Sequence, residues 1–156
     1  MDKESFLEPL NEGLDPKIFA RITEFCRADF FSDRMGIRIT ELAPGRAYME
    51  LDPEALHANM SGFLHGGVTV TMADLSMGIA CLTKGFAAIT SNINISYLSV
   101  GEIDQRITAA GQVIHFAKNI MYAESQIKNC QDKVLAKATG VFSVRSPITA
   151  DIFIEN

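Results

Sequence analysis

The segment 59-NMSGFLHGGVTVTMADLSMGIACLT-83 decides how this chain folds. From Gly67 to Thr83 it contains no proline and is apolar on every side, which is typical of a helix buried inside a domain. Its β-branched start leaves a strand as the alternative, but the segment is longer than most strands. One carboxylate, Asp74, interrupts the apolar run. Because burying an unpaired charge costs free energy, Asp74 needs either a partner or a chemical role.

The flanking sequence predicts an α+β domain in which a single antiparallel sheet wraps around this helix. Residues 16–30 show helical spacing of apolar side chains after a capping aspartate and a proline. A hairpin is expected over residues 37–51, with its turn at Pro44-Gly45, and a loop over residues 53–64. Four further strand-like stretches follow the buried helix, at residues 87–98, 103–116, 119–128 and 133–145.

The length of 156 residues suits one domain with a real core. We expect an N-terminal extension with an amphipathic helix over residues 1–34, the main domain over residues 35–150 and a C-terminal tail over residues 151–156. The acidic start of the chain lacks the layout of an export signal, and no apolar stretch is long enough to span a bilayer. A cytoplasmic protein that does not associate with membranes is therefore expected.

Charge and cysteine content exclude other classes of protein. The net charge is −5 and the basic residues are scattered, which disfavours nucleic acid as a partner. The three cysteines, Cys26, Cys81 and Cys130, are far apart and lack metal-ligand spacing, so we expect free thiols in a reducing compartment.

The doubled glycine before the buried helix suggests acyl-transfer chemistry. A helix N-terminus presents unpaired N–H groups and the positive end of a dipole, and Gly66-Gly67 lets a ligand approach them closely. Asp74 lies seven residues beyond Gly67, about 10 Å along a helix axis. An oxyanion donor and an attacking group must both come within about 3 Å of the reacting atoms. We therefore expect Gly67 of one subunit to face Asp74 of another.

The pattern N-x-x-G-x-L-H-G-G at residues 59–67, followed by Asp74, resembles the hotdog-fold acyl-CoA thioesterases of the phenylacetate-pathway (PaaI-like) and thioesterase-superfamily-member-2 type. The resemblance extends over residues 35–145 and includes 94-NISYL-98 and 138-ATGVF-142. It implies a hotdog fold and hydrolysis of an acyl-CoA, with a medium-chain or aromatic acyl group, to free acid and coenzyme A. It also implies homodimers that pair into homotetramers. No metal or organic cofactor is implied, because water, oxyanion donors and a carboxylate suffice.

The same resemblance assigns catalytic roles. Gly66 and Gly67 match the glycines whose N–H groups hold the thioester carbonyl. Asp74 matches the residue that acts as nucleophile or activates water, and Asn59 matches the asparagine that positions water or carbonyl. Thr90 stands where relatives often carry a serine that assists the water.

Several of these residues have a second interpretation. Asp74 also fits a structural acid bonded to a hydroxyl or amide. His65 is expected to be a buried histidine bonded to backbone, a part of the site rather than a proton carrier. A metal site from His57, His65 and Asp74 matches no ligand spacing. Cys81 has no basic neighbour in sequence, so an inert buried thiol is expected rather than a nucleophile.

Substrate contacts are expected at two places. The resemblance implies that Lys118, in the turn 115-HFAKN-119, contacts coenzyme A phosphates; a solvated surface lysine is the alternative, and Arg145 and Lys137 are weaker candidates. Asn119, next to Lys118, is also expected to bind the substrate. Phe63, Met72 and Tyr97 are expected to line the acyl pocket, although core packing fits Phe63 and Met72 equally well.

Three other functions compete with hydrolysis. A non-catalytic acyl-CoA-binding or sensing hotdog protein would normally carry an effector segment, and residues 1–34 are short and acidic for one. A hotdog hydratase would use an Asp/His pair in a differently placed motif. A purely structural oligomer would leave Asp74 and the doubled glycine unexplained.

Overall fold

A computed structural model describes residues 8–148 of the chain, so the expected tail at residues 151–156 lies outside the described residues. The elements in chain order are β1 (Leu10–Asn11), α1 (Pro16–Arg27), α2 (Phe30–Arg34), β2 (Arg38–Ala43), β3 (Arg46–Leu51), a 3-10 helix (Ala55–His57), α3 (Gly66–Leu82), β4 (Phe86–Tyr97), β5 (Ile107–Ala117), β6 (Ile120–Asn129) and β7 (Val134–Pro147). Within the described residues, no helix is both long and apolar enough to cross a membrane.

The predicted hotdog arrangement is confirmed. The strands form one sheet in the order β1-β2-β3-β5-β6-β7-β4, antiparallel except for the β1–β2 pair. This sheet curves around α3, which packs against β3 to β7. The helix comes closest at Gly111 of β5, where an added Cβ would lie 2.2 Å from the Ser76 carbonyl. A hydrogen bond of 2.8 Å between the hydroxyls of Ser76 and Ser125 fixes the helix on the sheet.

The first helix is shorter than predicted. Asp15 caps it as expected, accepting the Lys17 N–H at 2.8 Å, but the helix ends at Arg27 rather than near residue 30. Asp29 then accepts the Phe31 N–H and starts the five-residue helix α2. Helix α1 ends early because a second capping aspartate, Asp29, competes with its continuation.

The strand predictions are confirmed within two residues, with two exceptions. The stretch predicted from residue 103 starts as a strand only at Ile107. The two-residue strand β1 was not predicted. The turn at Pro44-Gly45 is confirmed, with Gly45 at a φ of 75° that favours glycine.

Strand β4 is a long edge strand. It is twelve residues long, and β7 is its only neighbour in the sheet among the strands of residues 8–148. Exposed apolar side chains lie on it and just after it, at Ile89, Tyr97, Leu98 and Val100. An uncovered strand of this length offers a row of backbone donors and acceptors to another strand.

Candidate active site

The N-terminus of α3 presents one free backbone donor. His65 is the N-cap residue, and its Nδ1 accepts the N–H of Gly67 at 2.8 Å. The Gly66 N–H, in contrast, donates to no group within residues 8–148. The expectation that both glycines offer their N–H groups to a carbonyl is therefore corrected for Gly67, whose donor is occupied by the cap.

The His65 side chain is exposed in the single chain, not buried as expected, because its ring folds over the open end of α3. An acceptor role for Nδ1 places the proton of the neutral ring on Nε2. At Gly67 an added Cβ would lie 2.9 Å from this Nδ1, so the glycine lets the ring approach the backbone. His65 thus shapes the helix terminus through a backbone hydrogen bond, as predicted.

Tyr97, at the end of β4, closes over the same helix terminus. Its hydroxyl donates to the Gly66 carbonyl at 2.9 Å, and its ring lies 3.4 Å from the position of a Cβ on Gly66. The edge strand therefore holds the first turn of α3 in place.

Asn59 lies beside this terminus on the preceding loop. Its Oδ1 accepts the N–H groups of Ser61 at 2.9 Å and Phe63 at 3.2 Å. These bonds fix the orientation of the side-chain amide, and its NH₂ group has no partner within residues 8–148. A second donor is thus presented near Gly66.

A cavity of about 380 Å³ opens where these groups meet. Its lining combines the two donor residues with mostly apolar walls: Asn59, Phe63, Leu64, Gly66, Thr69, Tyr97, Leu98, Ser99, Val100, Gly101 and Leu135. That Thr69, Leu135 and the segment 98–101 line the cavity was not predicted from the sequence. The position of Thr69 one helical turn after Gly66 was the available signal for this residue, whereas segment 98–101 arrives through long-range strand pairing.

Asp74 is paired with Thr90, whose hydroxyl donates to Asp74 Oδ1 at 2.8 Å. The carboxylate is half-buried, and its second oxygen, Oδ2, accepts no hydrogen bond from residues 8–148. This pair does not line the cavity. Because Asp74 lies eight residues after Gly66, the two are about 12 Å apart along the helix axis of one chain.

Three predicted substrate contacts lie elsewhere in the single chain. Met72 is fully buried in the core and lines no described cavity, so its assignment to the acyl pocket is corrected. Lys118 and Asn119 are exposed in the β5–β6 turn. The Val144 N–H donates to the Asn119 carbonyl at 3.0 Å, which anchors this turn near the Asp74 end of the molecule.

The side chains of His57 and Cys81 are engaged in structural roles. Both ring nitrogens of His57 have backbone partners, the Glu54 N–H at 2.8 Å and the Met35 carbonyl at 3.0 Å. Burial raises the pKa of the Cys81 thiol to about 12, which suppresses the thiolate that a nucleophile needs.

A network of two arginines and two carboxylates lies outside the cavity. Arg106 and Arg38 both contact Asp52, each at 2.6 Å, and both contact Glu50 at 3.1 Å. Hydrogen bonds from Arg106, which has the larger effect, and from Arg38 lower the pKa of the Asp52 carboxyl.

Comparison with known proteins places this arrangement in a family. Residues 61–136 match the thioesterase superfamily. Acyl-coenzyme A thioesterase PaaI of Escherichia coli K12 is 30% identical over 112 residues, which cover 72% of this chain and 80% of the relative. This chain belongs to the thioesterase superfamily. Acyl-coenzyme A thioesterase 13 of Homo sapiens is 29% identical over 106 residues, covering 67% and 71% of the two chains.

Solved structures of thioesterase-superfamily and related proteins share the fold. The E. coli PaaI protein from the phenylacetic acid degradation operon superposes with a TM-score of 0.82 at 27% identity, covering 86% of this chain and 98% of that one. A Streptococcus mutans protein bound to acetyl-CoA has a TM-score of 0.69 at 23% identity, covering 71% and 90%. The resemblance to the PaaI-like group that the sequence suggested is confirmed.

Proposed function

We propose that this chain is a thioester hydrolase that converts acyl-CoA to free acid and coenzyme A. The observation that carries the proposal is the uncommitted Gly66 N–H at the N-terminus of α3, opening on an apolar cavity beside the free amide of Asn59. Membership of the thioesterase superfamily and two relatives named acyl-coenzyme A thioesterases support it.

The chemistry follows from these donors. The thioester carbonyl accepts hydrogen bonds from the Gly66 N–H and the Asn59 amide, and the helix dipole favours the negative charge that develops on the oxygen. Attack on the carbonyl carbon forms a tetrahedral intermediate, whose collapse breaks the C–S bond and releases the thiolate of coenzyme A. His65 supports this arrangement by binding the Gly67 N–H, which leaves the Gly66 donor for the substrate.

Asp74 acts in one of two ways. As nucleophile it attacks the carbonyl carbon and forms an acyl-aspartyl anhydride, which water then hydrolyses to the free acid; as base it takes a proton from the attacking water and passes it to the leaving thiolate. Thr90 holds Oδ1 of the carboxylate, so Oδ2 remains for the water or the carbonyl carbon. No metal or organic cofactor is required by this scheme. A medium-chain or aromatic acyl group suits the apolar walls of the cavity.

The separation of Asp74 from Gly66 requires two subunits. We propose that β4 pairs with β4 of a second copy about a two-fold axis, which covers the exposed edge and its apolar side chains. We place the axis between Ile93 and Asn94, the register in which Thr90 of one subunit stands opposite Tyr97 of the other. Because Tyr97 contacts Gly66, this register brings Asp74 to the other subunit's cavity. Pairing of two such dimers into a tetramer and a cytoplasmic location remain predictions.

Lys118 is the proposed contact for the coenzyme A phosphates. Its turn is bonded to Val144, which pairs with Ala88, two residues from Thr90. In the proposed dimer, Lys118 therefore stands at the Thr90 end of β4, which faces the neighbouring subunit's cavity. As an exposed cation without an ion-pair partner in residues 8–148, it is available for a phosphate.

A thiol-release assay over short, medium, long and aromatic acyl-CoAs tests the proposal. Asp74→Asn is expected to lower kcat at least ~100-fold with KM near the parental value. Asp104→Asn, at an exposed carboxylate that does not line the cavity, is the matched control and should retain activity. Acyl-CoA binding without thiol release would instead establish the non-catalytic binding protein.

A further inference from the structure

Thr69 carries a buried hydroxyl that has no hydrogen-bond partner among residues 8–148. Its residue is 5% exposed and lines the active-site cavity. Every fully buried side-chain N or O atom in residues 8–148 has a partner, so the Thr69 oxygen must keep a small accessible area. The cavity that Thr69 lines supplies that access.

The other buried hydroxyls on helices donate hydrogen bonds to backbone carbonyls. Thr23 donates to the Phe19 carbonyl at 2.9 Å, Ser76 to the Ala73 carbonyl at 3.0 Å, and Thr83 to the Ala80 carbonyl at 2.7 Å. Bonding to a carbonyl of the preceding turn is the usual arrangement for such a side chain. For Thr69 the corresponding carbonyls already have donors, since Gly66 O accepts the Tyr97 hydroxyl and His65 O accepts two backbone N–H groups.

The position of Thr69 relates its hydroxyl to the reacting group. Gly66 and Thr69 are three residues apart on α3, so they share one side of the helix and lie about 4.5 Å apart along its axis. A thioester whose carbonyl binds the Gly66 N–H places the first carbons of its acyl chain beside Thr69. The surrounding wall is formed largely by Leu64, Leu98 and Leu135, which suit the acyl chain better than the amide-containing arm of coenzyme A.

We infer that Thr69 is a specificity-determining residue that binds an oxygen substituent on C3 of the acyl group, so that the preferred substrates are 3-hydroxyacyl- or 3-oxoacyl-CoA thioesters. C3 is two bonds from the thioester carbon, which allows its oxygen to reach Thr69 while the carbonyl stays on Gly66. The inference rests on the proposed hydrolysis. A hydroxyl buried without a partner loses free energy that a substrate oxygen restores, whereas an unsubstituted chain leaves it unpaired.

The test compares kcat/KM for 3-hydroxyhexanoyl-CoA and hexanoyl-CoA by thiol release, in the parent and three variants. The parent is expected to prefer the hydroxylated substrate at least about tenfold. Thr69→Val keeps the branched shape but removes the hydroxyl, and the ratio should fall to about one; Thr69→Ser should keep the preference. Thr23→Val, which removes a buried hydroxyl in α1, is the matched control and should leave the ratio unchanged.

The outcomes separate this inference from the proposed function. Equal rates on both substrates in the parent would overturn the role of Thr69 while leaving hydrolysis standing. If Thr69→Val keeps the parental ratio of the two kcat/KM values, the role of Thr69 is also overturned. The same holds if both Thr69→Ser and Thr23→Val lose the preference for the hydroxylated substrate. Hydrolysis of neither substrate, nor of any acyl-CoA in the wider panel, would refute the thioesterase function itself.

Discussion

Replacing Gly66 by proline removes the proposed oxyanion donor with little disturbance to the backbone. Gly66 is the first residue of α3, where proline is well tolerated because its missing N–H has no helical partner. His65 has φ −67° and ψ 133°, the extended conformation that a residue before proline favours. The added Cβ would meet the Tyr97 ring at 3.4 Å, an ordinary contact distance.

The expected loss follows from the donors at this terminus. Since the Gly67 N–H is bonded to His65, no neighbouring backbone donor replaces that of Gly66. Removal of one oxyanion donor typically costs about 10²–10³ in kcat, or roughly 2.7–4 kcal/mol of transition-state stabilisation. Gly66→Ala adds a Cβ against Tyr97 but keeps the N–H, so it controls for crowding.

The assay measures kcat and KM by thiol release for both variants, with thermal unfolding as a check on folding. Gly66→Pro should lose at least about a hundredfold in kcat relative to Gly66→Ala. If the two variants unfold at similar temperatures and their kcat values agree within about threefold, the Gly66 N–H does not stabilise the oxyanion and the reasoning is refuted.

Three further predictions concern the rest of the chain. Thr90→Val should lower kcat about tenfold through loss of its bond to the catalytic carboxylate, and Thr90→Ser should not; equal kcat values would contradict this. The pKa of Asp52 is lower in the folded state, so its stabilisation is complete above the unfolded pKa of about 3.9 and is lost as the pH falls through the folded value. Asp52→Asn should therefore cost up to about 1 kcal/mol of unfolding free energy at pH 7 and less in acid, and a constant difference down to pH 2 would contradict this. A thiol reagent at pH 8 should modify the exposed Cys130 rapidly, the half-buried Cys26 slowly and the buried Cys81 only on unfolding, because burial raises the pKa of both Cys26 and Cys81 to about 12. Rapid modification of more than one thiol would contradict this assignment.

The sequence predicted the sheet and the buried helix because their signals are periodic. Alternation in β3 and the continuous apolar run of α3 match the burial that the structure shows. In β2 the exposure of side chains does not alternate. The end of α1 was misplaced because Asp29, one polar residue among many, decides whether the helix continues. Strand β1 was not predicted because its two residues are too few to show alternation of apolar and polar side chains, and its parallel pairing with β2 is a long-range contact.

The sequence predicted which residues belong to the site better than it predicted how they contact one another. Asp74 and Gly66 stand out as a carboxylate in an apolar run and a glycine before a helix, whatever the tertiary structure. The hydrogen bond of Gly67 to His65 and the contact of Tyr97 with Gly66 depend on side-chain direction and strand register. For the same reason, sequence cannot distinguish the free hydroxyl of Thr69 from the bonded hydroxyls of other helical residues.

The central claim, that Gly66 and Asp74 of different subunits form one active site, is tested most directly by mixing two inactive variants. Gly66→Pro and Asp74→Asn are each expected to be inactive as homodimers. Co-refolding in equal amounts should restore about a quarter of the parental thiol release, since half of the dimers are mixed and each of these has one intact site out of two. Activity that stays at the level of the separate variants, although mixed dimers are shown to form, would place both groups in one subunit and contradict the account.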